Sequence, residues 1–232
     1  MWDGKLKAVT FSFDDGVTQD KRLIEILNKY NLKGTFNLNS SLLGIKSEHT
    51  TYGKTVRHDK VLACEVQKIY QGHEVAVHTL THPLLPSLED KTITWQVEED
   101  RKTLSNLVGY DVKAMAYPCG GVNNDDRVAE VVKNTTGVKF SRTITSSHSF
   151  DLQSNMYRFN PTVYYVEKEK MVSLAKEFLS LNPTEPKIFY IWGHSYEMDT
   201  DAITWEEFEE FCKLISNEND IFYGTNSEVL LK

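Results

Sequence analysis

"AVTFSFDDGVTQDKRLIEILNKYNLKGTFNLN", residues 8–39, decides the fold. Its first six residues, AVTFSF (8–13), form a β-branched and aromatic run that reads as a strand. DKRLIEILNKY (20–30) then places Leu23, Ile24, Leu27 and Tyr30 at helical spacing, and GTFNLN (34–39) reads as a second strand. A strand, a helix and a strand in succession predict parallel pairing. The alternation continues outward. A helix is expected over 59–70, with Val61, Leu62, Val66 and Ile69 on one face and Gln71-Gly72 as its stop. HEVAVH (73–78) is a third strand, 94–108 a helix, VKAMAY (112–117) a strand, and 125–134 a helix with acids in its first turn, as the helix dipole prefers. VKFSRTI (138–144), helix 168–181, KIFYIW (187–192) and helix 205–216 follow, and Thr204 with Glu207 fits a capping box. IFYG (221–224) is expected to close the chain. The expected architecture is α/β, with a parallel sheet that is open or closed into a barrel. It forms one domain over 1–232, with irregular stretches at 40–58, 79–93 and 145–162.

Composition narrows the function. Of 232 residues, 40% are apolar and 25% charged, which suits an ordinary globular core. The net charge of −7, with no Lys/Arg cluster, argues against a nucleic-acid groove. Cys64, Cys119 and Cys212 are far apart and odd in number, so they predict neither a disulfide framework nor a zinc knuckle. No run reaches transmembrane length. The start, MWDGKLKAVTFSF, lacks an apolar core of signal-peptide length. The chain is therefore expected in the cytoplasm, or in a secreted or cell-wall setting if a leader has been removed. The sequence leaves the oligomeric state open.

The reactive residue types cluster directly after strands. Asp14 and Asp15 follow AVTFSF, His78 ends HEVAV with His82 four residues on, YPCGG follows VKAMA, and His194 follows KIFYIW. In parallel α/β folds the carboxyl ends of the strands form the active-site face. Four strands would thus deliver these residues to one rim. Each signal has an ordinary alternative. "DDG" alone is a turn, with Gly16 at positive φ. "HTLTHP" (78–83) alone is two edge histidines, although a spacing of four can place two imidazoles on one side of a helical turn. His194 alone is a satisfied loop histidine, and YPCGG a plain turn. The Cys119 side chain reads as a small buried hydrophobe rather than a nucleophile. Taken together, two histidines and one aspartate make a three-ligand metal set with a position left for water. The second aspartate, beside that cation, can accept a proton.

These residues, in this order, resemble the polysaccharide deacetylase family (carbohydrate esterase family four). SFDDG (12–16), HTLTHP (78–83), AYPCG (116–120) and WGH (192–194) are similar to four of its motifs. The likeness runs from about residue 8 to residue 197. The resemblance implies a distorted (β/α) barrel with about seven parallel strands. It implies Asp14 as catalytic base, His194 as catalytic acid and the Cys119 backbone N–H as oxyanion donor. Asp15, His78 and His82 would hold one divalent metal, zinc first, with cobalt, nickel or iron as alternatives. Tyr117, Pro118, Trp192 and Arg142 are expected to bind substrate. The implied activity is metal-dependent hydrolysis of acetyl groups from N-acetylated, or O-acetylated, carbohydrate, at a non-peptide carbon–nitrogen bond. The alternatives are an inactive glycan-binding barrel and an amidase acting on a small non-sugar amide. Two departures stand out. The family often carries an arginine two residues before the third motif's proline, pairing with the base, and here that position is Ala116. The Asp–Trp pair that orients the acid histidine has no clear counterpart. Arg142, in FSRTI, is the candidate to take over a supporting role.

Overall fold

The computed structural model describes residues 1–231. In chain order its strands are β1 (Lys7–Asp14), β2 (Gly34–Leu38), β3 (Glu48–Thr51), β4 (Lys54–Arg57), β5 (Glu74–Val77), β6 (Ala114–Ala116), β7 (Phe140–Arg142), β8 (Val163–Tyr164), β9 (Lys187–Gly193) and β10 (Ile221–Tyr223). Its helices are α1 (Asp20–Lys29), α2 (Val66–Ile69), α3 (Asp90–Val108), α4 (Asp126–Thr135), α5 (Lys168–Ser180), α6 (Trp205–Ile215) and α7 (Asn226–Leu230). Seven strands in the order β7-β6-β5-β2-β1-β9-β8, all parallel, curl into a half-barrel. This is the architecture that the alternation and the resemblance predicted. The short β10 pairs with the first residues of β1, and β2 pairs with the last ones.

β1 is buried along its whole length, as a central parallel strand covered on both faces should be. Val9, Phe11 and Phe13 face the core under the helices, where Phe11 meets Phe208 and Phe211 edge-on at 6.2 and 6.3 Å. The alternate residues face the barrel interior. Ala8 packs there with Ala76, Ala114 and Ile188, while Thr10, Ser12 and Asp14 meet polar groups of other elements. The same interior cluster is filled by the large side chains of Trp2, Phe140, Phe159 and Tyr190. Helix α7 plugs the amino-terminal mouth. Trp2 donates to Val229 O at 3.0 Å, Asn226 Nδ2 donates to the Tyr190 hydroxyl at 2.6 Å, and the Glu74 carboxylate accepts from Ser227 N at 3.0 Å.

The gap between β7 and β9 is bridged by one segment. Phe159 N donates to Ser141 O at 3.0 Å, and Thr162 N donates to Tyr190 O at 2.8 Å. Gly193 is required where β9 ends, because an added Cβ would lie 1.6 Å from the Tyr165 ring.

Three expectations change. The helix over 59–70 reduces to α2 and one preceding turn, because Val61 N donates to Gly16 O and Lys60 bridges Val17, which holds that stretch extended. The stretch 40–58 is not irregular but carries the antiparallel β3–β4 hairpin. Its turn residues, Tyr52 (φ 48) and Gly53 (φ 74), both have positive φ, as a two-residue I′ turn demands. IFYG is followed by α7, capped by Thr225 and Glu228. The Thr204–Glu207 capping box is present as expected. No helix among the described residues is long and apolar enough to cross a membrane.

Candidate active site

The two aspartates part company at a turn. Asp14 is the last residue of β1 and points inward, while Asp15 (φ 82) and Gly16 (φ 60) leave the strand in left-handed conformations. Gly16 is therefore the turn residue that was expected, and Asp15 shares that strain. Arg142 places Nη2 on both carboxylate oxygens of Asp14, 2.5 Å from Oδ2, and Asn37 Nδ2 donates to Oδ1 at 2.8 Å. Asp15 turns to the other side, where His82 Nε2 is 3.6 Å and His78 Nε2 is 4.0 Å from its Oδ1.

The two histidines meet without a helical turn. Thr79 (φ 68) and His82 (φ 60) are left-handed, an arrangement that costs a β-branched residue on the order of 1–3 kcal/mol and must be held by its surroundings. Asn39 Nδ2 holds it by donating to His78 O at 2.5 Å and Thr79 O at 2.9 Å. The rings then lie 4.9 Å apart between centroids. His78 Nδ1 faces Ala116 O at 2.9 Å, which leaves Nε2 turned to the site, and Asp100 of α3 accepts from His78 N at 3.1 Å. One ligand atom each from Asp15, His78 and His82 fall within 4.8 Å of one another.

The charge states suit a divalent cation. Burial pushes Asp15 upward, but Lys60 and then His58 and the nearby histidines outweigh it and hold the carboxyl well below its usual range. Burial lowers His78 to about 4, so its ring is neutral and its lone pair free at neutral pH. An N, N, O donor set of one carboxylate and two neutral imidazoles fits zinc and its neighbours in the series.

His194 completes the rim. Its Nδ1 lies 3.2 Å from Glu197 Oε2 and its Nε2 3.9 Å from Asp14 Oδ2. Burial disfavours its charged form, but Glu197 and then Asp14 and Asp15 outweigh that and raise its pKa to about 9. Burial likewise pushes Asp14 upward, yet Arg142, His78 and His194 leave it below the ordinary carboxylate value. The site thus holds an ionised acid group and a protonated base group side by side. Tyr164 donates to the other oxygen of Glu197, and its ring stacks on Trp192 at 4.3 Å.

The expected residues are not all where they were expected. Asp14, Asp15, His78, His82, Cys119, Trp192 and His194 line one cleft of about 700 Å³. Arg142 is fully buried beneath it, with its guanidinium on Asp14, on Thr143 O at 3.0 Å and over the Trp192 ring at 4.6 Å. It is a partner of Asp14, not a residue that touches substrate. Tyr117 also lines the cleft, although it is buried and its hydroxyl is used on Tyr157 O at 2.8 Å, whereas Pro118 is buried outside the lining. The Cys119 side chain is not a buried hydrophobe. It is half-buried in the cleft, with Sγ 3.5 Å from His82 O.

The sequence reading missed several lining groups. Lys60 Nζ donates to Asp15 O at 2.7 Å, and His58 Nε2 lies 3.3 Å from Asp15 Oδ2. Nothing local marks either residue. Glu197 had a signal, since it stands three residues after His194 in HSYE and closes back on it.

Comparison with known proteins agrees with this fold. A family model described as polysaccharide deacetylase matches residues 3–139. The chain is 26% identical over 127 residues to the peptidoglycan-N-acetylmuramic acid deacetylase PdaC of Bacillus subtilis, covering 54% of this chain and 24% of that protein. It is 28% identical over 119 residues to a bifunctional xylanase/deacetylase of Pseudobutyrivibrio xylanivorans, covering 51% of this chain and 17% of that one. The chain therefore spans a quarter or less of the length of these curated relatives. A family 4 carbohydrate esterase from Streptomyces lividans, solved in complex with acetate, shares the fold with a TM-score of 0.57 at 13% identity, over 95% of this chain and 92% of that one.

Proposed function

The chain belongs to the polysaccharide deacetylase family, and from that premise we propose that it hydrolyses acetyl groups from N-acetylated carbohydrate with the help of one divalent metal. One observation carries the reading. An ionised Asp14 and a protonated His194 stand 3.9 Å apart beside a three-ligand set in one cleft. A binding surface has no use for that pair.

Asp15, His78 and His82 would hold the metal, zinc first among the ions that suit them. When bound, the cation would supply Lewis-acid polarisation of the carbonyl and acidify water. Asp14 takes the proton of the attacking water, and Arg142 and Asn37 keep its carboxylate charged and oriented. The Cys119 backbone N–H is the donor assigned to the developing oxyanion. His194, held by Glu197, gives a proton to the departing nitrogen, and acetate and the free amine leave. Water adds across the C–N bond, so no covalent enzyme intermediate forms.

The test is acetate release from N-acetylglucosamine oligomers and acetylated xylan by metal-loaded protein. Release that Asp14→Asn abolishes supports the reading. Measurable glycan affinity with no acetate from any substrate would put a binding-only barrel in its place.

A further inference from the structure

The β3–β4 hairpin stands at the rim, and the mechanism does not use it. It rises from the carboxyl end of β2 and runs across the ends of β1 and β9 to β8. Gln19, in the turn after β1, donates to Arg57 O at 2.7 Å and to Asp199 at 2.9 Å. Lys54 pairs with Asp201 at 2.6 Å, in the loop after β9. At the tip, the Tyr52 hydroxyl is 3.4 Å from that of Tyr164, at the end of β8. The inner side is seated as well. Val56 is buried with Val17 and Tyr196, and the rings of His49 and His58 lie edge-on to Tyr196 at 5.5 and 4.8 Å. The I′ turn fixes the register of the arm.

Attachment at both ends and along its inner side makes the hairpin a wall. It covers the β2, β1, β9 and β8 side of the rim. The opposite side ends in His82, Cys119, Gly120 and Ile144, and there the chain continues to the exposed Gly121 and Val122. A polymer lying across a catalytic centre needs two open ends, one on each side of the reacting unit. With the hairpin walling one side, a chain would leave on the β5–β7 side.

We propose that the hairpin makes the cleft one-ended, so that the protein acts on the terminal residue of an acetylated glycan, or on a short oligosaccharide, and not on residues inside a chain. This rests on the glycan reading above.

The test uses the pentasaccharide of N-acetylglucosamine, labelled at its reducing end. Products of metal-loaded protein are mapped by mass spectrometry, and contacts to metal-free protein by saturation-transfer NMR. Deacetylation should be at least about tenfold faster at one terminal residue than at any interior one. Saturation transfer should concentrate on that same terminal ring. Because His58 N donates to Ser47 O at 2.8 Å, residues 48–57 can be replaced by Asn-Gly at that pair, and this variant should deacetylate interior residues. The double variant Lys54→Ala/Asp201→Ala, which keeps the whole chain, should move the product pattern the same way. Interior deacetylation by the wild type, or saturation transfer spread along the chain, overturns the proposal. So do variants that fold and keep the wild-type pattern. Terminal-only saturation transfer with no acetate released would sink the deacetylase reading and support the one-ended cleft alone.

Discussion

Ala116 and Arg142 are lateral partners in the parallel ladder between β6 and β7. Their side chains therefore leave the sheet on the same face, at the same level of the ladder. Ala116 is the position where the family often carries the arginine that pairs with the base. The guanidinium is present after all, delivered from the neighbouring strand. The ion pair is wholly buried, and breaking such a pair by removing one partner typically costs about 3–5 kcal/mol.

Arg142→Met should lower the midpoint of urea unfolding by an amount on that scale and reduce kcat/KM by about 100-fold or more, the usual contribution of a positioned base. Metal content should remain near the wild-type value, because Asp15, His78 and His82 do not touch Arg142. The double variant Ala116→Arg/Arg142→Ala should recover part of the loss. Wild-type activity in Arg142→Met would refute the pairing.

Glu197→Gln should move the alkaline limb of the pH–rate profile toward acid. His194 must carry a proton to donate it, and its pKa is raised to about 9, with Glu197 the largest favourable cause. Activity is then retained up to that pH and falls as pH rises through it. Without the Glu197 charge, the fall should begin more than about one pH unit lower. A limb that stays in place would mean that another group titrates there.

Elemental analysis should separate the two aspartates. Asp14→Asn should keep the metal and lose turnover. Asp15→Asn and His82→Ala should weaken metal binding by on the order of 100-fold, at or beyond the range typical of outer-layer partners. Equal metal content in all three variants would dismiss the assigned ligand set.

Asp20 ties stability to pH. It is fully buried between the Tyr70 and Ser195 hydroxyls, and burial raises its pKa to about 7 against those hydrogen bonds. The folded chain therefore keeps a proton that the unfolded chain releases above the ordinary carboxyl value of 3.8. The contribution is full below that value and is lost as pH rises through about 7, a change on the order of 4 kcal/mol. Urea midpoints at acid and mildly alkaline pH should diverge less in Asp20→Asn than in the wild type. An unchanged divergence would assign the pH dependence elsewhere.

Much of the site was legible because its residues are tied to local pattern. Asp14, Asp15, His78 and His194 each follow an apolar strand, and a parallel sheet sends every such end to one rim. The rest had no local sign. The hairpin 48–57 is exposed on most positions, so it lacks the period-two alternation that announces a half-buried strand. Val61, Leu62, Val66 and Ile69 have helical spacing, yet pairing with residues 16 and 17 extends the first of them. Arg142 and Asp14 are 128 residues apart, and Lys60 and Asp15 are 45 apart.

The sequence by itself determined most of the strand–helix order, the parallel sheet and the residues at the strand ends, because hydrophobic period and strand ends are local properties; its barrel form came only with the family resemblance. Only the tertiary structure decided which carboxylate meets the guanidinium, what holds the acid histidine and which side of the rim is walled. Those depend on which strands become neighbours and on where a polar arm is fastened, and both are settled by contacts between distant parts of the chain.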